Sequence, residues 1–127
     1  MKYLLDVSTL LAWLWKDHEH HLRVLAWQEG KSVAICPITE LGFLRISTQP
    51  AFGASMTEAR ELLSEWTRQC QPMQVWCDIS ALKGSVASTS GKTTDIYLAN
   101  LALNHGLSLA TLDEGVDHDA AAVIPRL

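Results

Sequence analysis

The sequence predicts an α/β protein, with a three-layer α/β/α fold around a central, mainly parallel sheet of four to five strands. Apolar, strand-like segments alternate with helical segments in the order β-α-α-β-α-α-β-α-β, and a short fifth strand would complete the sheet. The predicted strands are unbroken apolar runs, which is typical of parallel strands buried on both faces. The length of 127 residues fits a single domain, 1–127, without a linker or an internal repeat.

The beginning of the chain supplies one strand and two helices. Residues 3–5 are apolar and end at Asp6, so they predict a short buried strand. Ser8 stands at an N-cap position in front of 9–15, a helix with a very apolar face. A second helix is predicted over 18–29, because leucine and alanine recur on one side of it and a glycine follows.

The middle of the chain adds a second strand and two more helices. The β-branched, apolar segment 32–36 predicts a buried strand that Pro37 ends. Thr39 is expected to cap the next helix, which opens with Glu40. Ser55 and the glutamate three residues after it have capping-box spacing, in front of a further amphipathic helix.

The last part of the chain supplies the remaining strands. A short third strand is expected at 74–77. The stretch 85–94 is rich in serine, threonine and glycine and is the most loop-like part of the chain. A helix over 95–104 then leads into a fourth strand over 107–111, and 123–124 would form the fifth.

Composition and charge limit the class of function. Hydrophobic residues make up 48% of the chain, the mean hydropathy is +0.08 and the net charge is −4, which argues against a basic surface for broad nucleic-acid binding. No apolar run reaches membrane-spanning length, so no membrane partner is expected. The three cysteines form no CxxC pair and the first residues do not resemble a secretory signal, so a cytoplasmic location is expected. Most of the five tryptophans are expected in the core and some in an interface.

Four acidic residues are expected at one edge of the sheet. Asp6 closes the first predicted strand, Glu40 lies in the first turn after the second, and Asp113 follows the fourth. Asp95 opens the helix that leads into the fourth strand. In open α/β sheets ligands bind beyond the carboxyl ends of the strands, where all four would meet. Any one of them could be an ordinary cap or turn residue, but turn chemistry does not explain four at one edge.

Carboxylates gathered in this way need a cation, because they repel one another and cannot all stay ionised without one. Their hard oxygen atoms suit Mg²⁺, or Mn²⁺, rather than Zn²⁺. Mg²⁺ held by a few carboxylates keeps water molecules and open positions for phosphate oxygens. The expected chemistry is therefore cleavage of a phosphodiester by metal-activated water.

Around these acids the chain resembles the PIN-domain ribonucleases, and in particular the VapC toxins of bacterial toxin–antitoxin pairs. The resemblance lies in four segments in the family's order and spacing: LDVSTLL at 5–11, ITELGFLR at 38–45, TDIYLANLA at 94–102 with HG at 105–106, and LATLD at 109–113. It implies a PIN-like fold over 1–127 and a Mg²⁺-dependent endoribonuclease that acts as a toxin. It also implies a homodimer, an RNA substrate and a cognate antitoxin that blocks the site.

The resemblance also assigns roles residue by residue. The catalytic and metal-binding acids correspond to Asp6, Glu40, Asp95 and Asp113. Of these, Asp6 and Asp95 are expected to ligate the metal directly. Ser8 and Thr111 match small polar positions beside the site, where a hydroxyl can hold a carboxylate or a metal-bound water. A helix cap and a strand end are the alternative interpretations of these two residues.

Two basic residues are candidates for RNA contact. Arg45 follows Glu40 by about one and a half helical turns, and Lys92 precedes Asp95 by three residues. Each could reach an RNA phosphate or a carboxylate of the metal-free site. A solvated charge or a surface ion pair is the alternative interpretation.

The chain departs from the family pattern after Asp113. Relatives often carry another acid two residues later and then an aromatic residue, whereas Gly115 and Val116 stand here. The number of metal ions, one or two, is therefore open. A compact histidine cluster is expected to have a structural or partner-facing role rather than a metal site, and it comprises His18, His20 and His21.

Two other classes of function compete with this interpretation. One is a non-catalytic PIN-like module that binds RNA or protein, which would not need four mutually repelling acids. The other is a different Mg²⁺ enzyme on a doubly wound sheet. A haloacid-dehalogenase-type phosphatase would need a second aspartate where Ser8 stands. A phospho-acceptor receiver would need paired acids at the first strand and a late lysine, and the chain has neither.

Overall fold

The computed structural model describes residues 1–127 and confirms the α/β class, with the elements in the predicted order. The strands are β1 (Lys2–Leu5), β2 (Ser32–Ile35), β3 (Met73–Gln74), β4 (Ser108–Thr111) and β5 (Ala121–Val123). The helices are α1 (Val7–Leu14), α2 (His21–Gln28), α3 (Pro37–Ser47), α4 (Met56–Cys70) and α5 (Thr93–Asn104). A 3₁₀ turn, Ser90–Lys92, leads into α5. None of these helices combines the length and the apolar character that crossing a membrane requires.

All strands of the sheet are parallel, in the order β3-β2-β1-β4-β5. The central strand is β1, whose Leu4 pairs with Ala34 of β2 and with Leu109 of β4. From β1 the chain moves outward to β2 and β3, and it then returns to the other side of β1 for β4 and β5. In sheets of this type the ligand site lies beyond the carboxyl ends of the strands at the point of reversal, which here is between β1 and β4.

Helices cover both faces of the sheet, which gives the three predicted layers. Successive residues of a strand point to opposite faces. Leu5 belongs to a core shared with α1 to α4, in which Phe43 is fully buried. Its neighbour Leu4 belongs to a second core under α5, together with Leu98 and Leu101. The carboxyl-terminal halves of β1, β2 and β4 are buried, and β1 and β2 are wholly apolar there because both faces of the sheet are covered.

Four of the five tryptophans belong to the first core. Trp66 is buried, and Trp13, Trp15 and Trp27 are partly buried against the same cluster. Trp13 meets Trp66 edge to face, with 5.3 Å between the ring centroids. Trp76 lies at the surface and is 78% exposed. The expectation that most tryptophans are core residues is confirmed.

Local hydrogen bonds place two helix starts differently from the sequence prediction. The N-cap of α1 is Asp6 and not Ser8, because Asp6 Oδ1 accepts a hydrogen bond from the Thr9 N–H at 2.8 Å. Helix α2 begins three residues later than expected. In front of it His18 Nδ1 accepts from the His20 N–H at 3.0 Å, so these residues form a turn.

Helix α3 begins at Pro37, with Cys36 as its N-cap. Proline is favoured in the first helical turn, where its missing N–H costs nothing and its fixed φ suits the helix. Thr39, predicted as the cap, lies inside the helix, and its hydroxyl donates to the Leu5 carbonyl oxygen at 2.8 Å. The capping box predicted at Ser55 is confirmed.

The two edge strands differ from the predicted ones: β3 is shorter, and β5 begins and ends earlier in the chain. Strand β3 covers two residues instead of the predicted 74–77. The Val75 N–H still donates to the Ile35 carbonyl oxygen at 2.9 Å, but the partner strand ends there because α3 begins. Strand β5 ends at Val123 and pairs with β4 from Ala121 onward. Edge strands have one neighbour only, so the pairing partner decides their limits.

Candidate active site

Asp6 is the most deeply placed acid at the carboxyl edge of the sheet. It follows β1 directly and is 1% exposed. Its Oδ1 accepts hydrogen bonds from the Thr9 N–H at 2.8 Å and from the Ser8 hydroxyl at 2.9 Å. Burial raises the pKa of Asp6, while hydrogen bonds from Thr111, Thr9 and Ser8 act in the opposite direction. The first turn of α1 therefore holds this carboxylate in a place where its charge is costly.

Two threonine hydroxyls hold the backbone on either side of this position. Thr9 Oγ1 donates to the Ala110 carbonyl oxygen at 3.0 Å, and Thr39 Oγ1 donates to the Leu5 carbonyl oxygen at 2.8 Å. Both threonines are fully buried. Sequence reasoning missed this role. The only signal for it is a hydroxyl residue in a helical segment that packs against the sheet, where the hydroxyl needs a partner.

Asp95 approaches Asp6 from the first turn of α5. The helix dipole favours an anion at this position. Its pKa is nevertheless raised from 3.8 to about 6, first by burial and then by the charges of Asp6 and Asp113, against the opposing effect of Lys92. Asp95 therefore lies close enough to Asp6 and to Asp113 to be repelled by both.

Asp113, just past β4, has partners for both of its carboxylate oxygens. Lys92 Nζ donates to Oδ2 in an ion pair, and the Gly115 N–H donates to Oδ1 at 2.7 Å. These contacts hold the pKa of Asp113 below its ordinary value. The Thr111 hydroxyl accepts from the Asp113 N–H at 3.0 Å and also stabilises the charged form of Asp6. Thr111 therefore links the two acids, as a supporting hydroxyl would.

Glu40 is the predicted acid that the structure does not bring to the other three. It lies in the first turn of α3 at the expected edge, but it lines a groove of about 750 Å³ between α3 and α4, together with Arg60 and Arg68. Burial alone raises its pKa, without a contribution from another acid. The reason is helix phase: successive residues turn by about 100°, so Glu40 points away from the side formed by Ile38 and Arg45. Asp95 therefore lies near Asp6 and Asp113 at this edge, whereas Glu40 lies in the α3–α4 groove and its part in a metal site stays a prediction.

An open cleft of about 590 Å³ lies beside Asp95, between the start of α1 and α3. Arg45 lines this cleft, is exposed and takes part in no ion pair. Gly42 lets the two helices approach, because a Cβ at this position would lie 2.4 Å from Val7 Cγ2. Sequence reasoning also missed Gly42, for which a glycine in a helix interior is the signal.

Two residues of the histidine cluster make structural contacts, which agrees with one of the two roles expected for it. His21 Nδ1 lies 2.8 Å from the Ala12 carbonyl oxygen, which ties the start of α2 to α1. His18 Nδ1 accepts from the His20 N–H within the intervening turn. Both contacts use Nδ1 of the ring and hold the turn between α1 and α2.

The donor set at Asp6 and Asp95 fits Mg²⁺ or Mn²⁺. Both donors are carboxylates, whose hard oxygen atoms suit these ions, whereas structural zinc sites are built mainly from cysteine and histidine. Mg²⁺ is commonly held by one or two carboxylates and keeps several waters. Here two carboxylates with raised pKa values lie close together, Asp95 lines an open cleft, and a divalent cation would relieve their repulsion.

Comparison with known proteins identifies relatives along nearly the whole chain. The family model of the PIN domain matches residues 3–122. Ribonuclease VapC38 of Mycobacterium tuberculosis is 35% identical over 89% of this chain and 86% of its own length. Ribonuclease VapC44 of the same species is 35% identical over 91% of this chain and 89% of its own length. For ribonuclease VapC29, also from this species, the identity is 35% and the match covers 98% of both chains.

Two solved structures have the same fold. VapBC2 from Rickettsia felis, bound to a DNA fragment from its promoter, gives a TM-score of 0.64 over 97% of both chains, with 12% identity. FitAcB from Neisseria gonorrhoeae gives a TM-score of 0.62 over 98% of this chain and 97% of the other, with 21% identity. At these identities the two structures support the fold alone. The family model and the relatives at 35% identity, however, confirm the resemblance found in the sequence: the chain belongs to the PIN-domain family.

Proposed function

We propose that this protein is a Mg²⁺-dependent endoribonuclease that acts as the toxin of a toxin–antitoxin pair. The observation that carries the proposal is the pair of mutually repelling carboxylates, the buried Asp6 and the half-buried Asp95, of which Asp95 lines an open cleft. The enzyme class, a ribonuclease and hence a hydrolase, follows from the three relatives that bear this name and match most of the chain.

Asp6 and Asp95 would hold the divalent ion. When bound, Mg²⁺ or Mn²⁺ would supply Lewis-acid activation of a water molecule and of the scissile phosphate. The chain prepares for this by holding Asp6 Oδ1 with two hydrogen bonds from the first turn of α1. The N-terminus of α5 places Asp95 beside it, and the two carboxylates come from rigid elements rather than from loops.

Arg45 and Lys92 would contact the RNA backbone. The chain has a net charge of −4, and the site itself is acidic, so a phosphodiester approaching it is repelled unless local cations compensate. Arg45 lies free in the cleft beside Asp95. Lys92 lies next to Asp95 through its ion pair with Asp113. Both are therefore placed to bind phosphate oxygens.

The proposal includes two protein partners, which are a cognate antitoxin and a second copy of the chain. It also treats residues 1–127 as one domain and places the protein in the cytoplasm. The segment between β3 and α5 supports partner binding. It exposes three large apolar side chains: Trp76 is 78% exposed, Leu82 is 94% exposed and Val86 is 88% exposed. Surfaces of this kind mark sites that other proteins cover.

An RNA-cleavage assay tests the enzymatic part of the proposal. Wild-type protein should cut a labelled single-stranded RNA in Mg²⁺ and should stop in excess EDTA. Asp95→Asn should remain folded and inactive. Asp17→Asn is the matched control, because Asp17 is exposed and follows the end of α1 opposite to Asp6, and it should cut normally. Full cleavage by Asp95→Asn, or by wild type in EDTA, would remove the metal mechanism.

A growth experiment tests the toxin role separately. Induction of the wild-type chain in its host should arrest growth, and co-expression of the cognate antitoxin should restore it. Asp95→Asn should be harmless. Unchanged growth with an active wild-type enzyme would contradict the toxin role while leaving the nuclease activity intact.

A further inference from the structure

Lys92 occupies an unusual place for a cation. It ends the 3₁₀ turn and is the N-cap residue of α5, where the helix dipole is positive and disfavours an ammonium group. Its side chain is 31% exposed and points to the acids, where Asp113 is its hydrogen-bonded partner and Asp95 adds a further attraction. The local backbone does not favour this position, so the carboxylates must hold the ammonium there.

The surroundings of Asp113 are built around this contact. Lys92 Nζ donates to Asp113 Oδ2, and the Gly115 N–H donates to Asp113 Oδ1 at 2.7 Å. A Cβ at position 115 would lie 3.1 Å from both Lys92 Nζ and Asp113 Oδ1, so a glycine leaves the room that the ammonium uses. Both carboxylate oxygens of Asp113 therefore already accept hydrogen bonds. The neighbouring Asp6 and Asp95 have no ion-pair partner of their own.

We propose that Lys92 is a built-in cation of the site: held by Asp113, its ammonium binds a phosphate oxygen of the RNA, and the chain binds a single divalent ion, at Asp6 and Asp95. Asp113 is then a positioning residue that acts through Lys92 and not a ligand of the metal. The inference rests on the proposed function and chooses between the one-ion and two-ion sites that the sequence left open. An ammonium next to the metal can offset phosphate charge during cleavage, as a second cation would.

Binding of Mn²⁺ to the full chain, measured by titration calorimetry and by the spin-resonance signal of free Mn²⁺, tests the inference. Wild type should bind one ion. Lys92→Met should bind it about tenfold more tightly, because a repelling charge is gone and Asp113 is left unpaired. The double variant Lys92→Met/Asp113→Asn replaces an ion pair of zero net charge by two uncharged side chains. Its affinity for Mn²⁺ should therefore lie within about twofold of wild type. Lys83→Met, an exposed lysine without an ion pair, is the control and should bind as wild type does.

RNA cleavage by the same variants gives the second readout. Lys92→Met should cut about a hundredfold more slowly although it binds the metal better, and Lys92→Arg should recover part of the rate. A merely structural ion pair would not produce tighter metal binding together with slower cleavage. Because the pair is partly exposed, its loss should cost little stability, and thermal unfolding of each variant checks this.

Three results would overturn the inference. Two ions bound per wild-type chain would contradict the single site. A double variant that binds Mn²⁺ about tenfold more weakly than wild type would make Asp113 a ligand. A Lys92→Met variant with unchanged metal affinity and unchanged cleavage would remove Lys92 from the site. Failure of the proposed function looks different, because then wild type and Asp95→Asn would bind Mn²⁺ equally, whatever Lys92 does.

Discussion

Replacing Asp95 with asparagine should stabilise the metal-free protein at neutral pH. Removing a negative charge from a helix N-terminus ordinarily costs stability. Here the pKa of Asp95 is raised from 3.8 to about 6, by burial first and by the charges of Asp6 and Asp113 next. Folding therefore disfavours the charged form of this carboxyl, and the neutral amide of asparagine removes that penalty.

The magnitude follows from the pKa. Each pH unit by which a pKa moves corresponds to about 1.4 kcal/mol, so the upper bound of the penalty is roughly 3 kcal/mol. The side chain is partly exposed and screened, so we expect about 1–2 kcal/mol. The penalty is absent below pH 3.8, where the carboxyl is protonated in the folded and the unfolded chain. It grows as the pH rises from 3.8 to about 6 and is complete above that window.

Urea unfolding of wild type and Asp95→Asn in EDTA provides the measurement. At pH 7 the variant should be more stable by about 1–2 kcal/mol, which corresponds to a rise in Tm of roughly 3–8 °C, and this difference should shrink as the pH falls to about 4. Adding Mg²⁺ should stabilise wild type and leave the variant unchanged. Asp17→Asn should have the stability of wild type at each pH, and Mg²⁺ should stabilise it as it stabilises wild type. An Asp95→Asn variant that is less stable than wild type at pH 7, or a difference that persists at low pH, would refute the reasoning.

Substitutions at three further residues separate the roles of these side chains. Asp6→Asn and Asp6→Ala should both lose Mn²⁺ binding, but the alanine variant also loses the N-cap of α1 and should be about 1 kcal/mol less stable in urea unfolding; equal stability would contradict the cap. Glu40→Gln should keep its Mn²⁺ affinity within about twofold of wild type in calorimetry, because Glu40 lies in the α3–α4 groove, and a loss of about tenfold would return it to the metal site. Gly42→Ala should lose about 1–3 kcal/mol, since its Cβ would lie 2.4 Å from Val7 Cγ2, and adding Val7→Ala should restore most of this loss in thermal unfolding.

Much of the fold could be predicted because burial leaves a local pattern. The apolar run 32–36 had to be buried on both faces, and that requirement alone indicates a parallel sheet between two helical layers. The edge that carries the acids was predictable for the same reason. Parallel strands end at one edge, so Asp6 and Asp113, which follow β1 and β4, had to come near each other.

The rotation of each helix about its own axis was harder to predict from the sequence. Glu40 lies at the predicted edge of the sheet. Helix α3 begins at Pro37, three residues before Glu40, and at this helical position the Glu40 side chain points toward α4. Asp6 and Ser8 were both good N-cap candidates in the sequence. The choice between them depends on the path of the chain from β1 into α1. A hydrogen bond from the Asp6 N–H to the Ala110 carbonyl oxygen helps to fix this path.

By itself the sequence determined the fold class, the family and the edge of the sheet at which the acids collect, because these depend on which residues are apolar and where each element ends. The tertiary structure alone decided which acids meet. It brings Asp95 beside Asp6, turns Glu40 away, and pairs Asp113 with Lys92, 21 positions earlier in the chain. Contacts of this kind depend on helix rotation and strand register, which the packing of the whole domain sets and no local segment encodes.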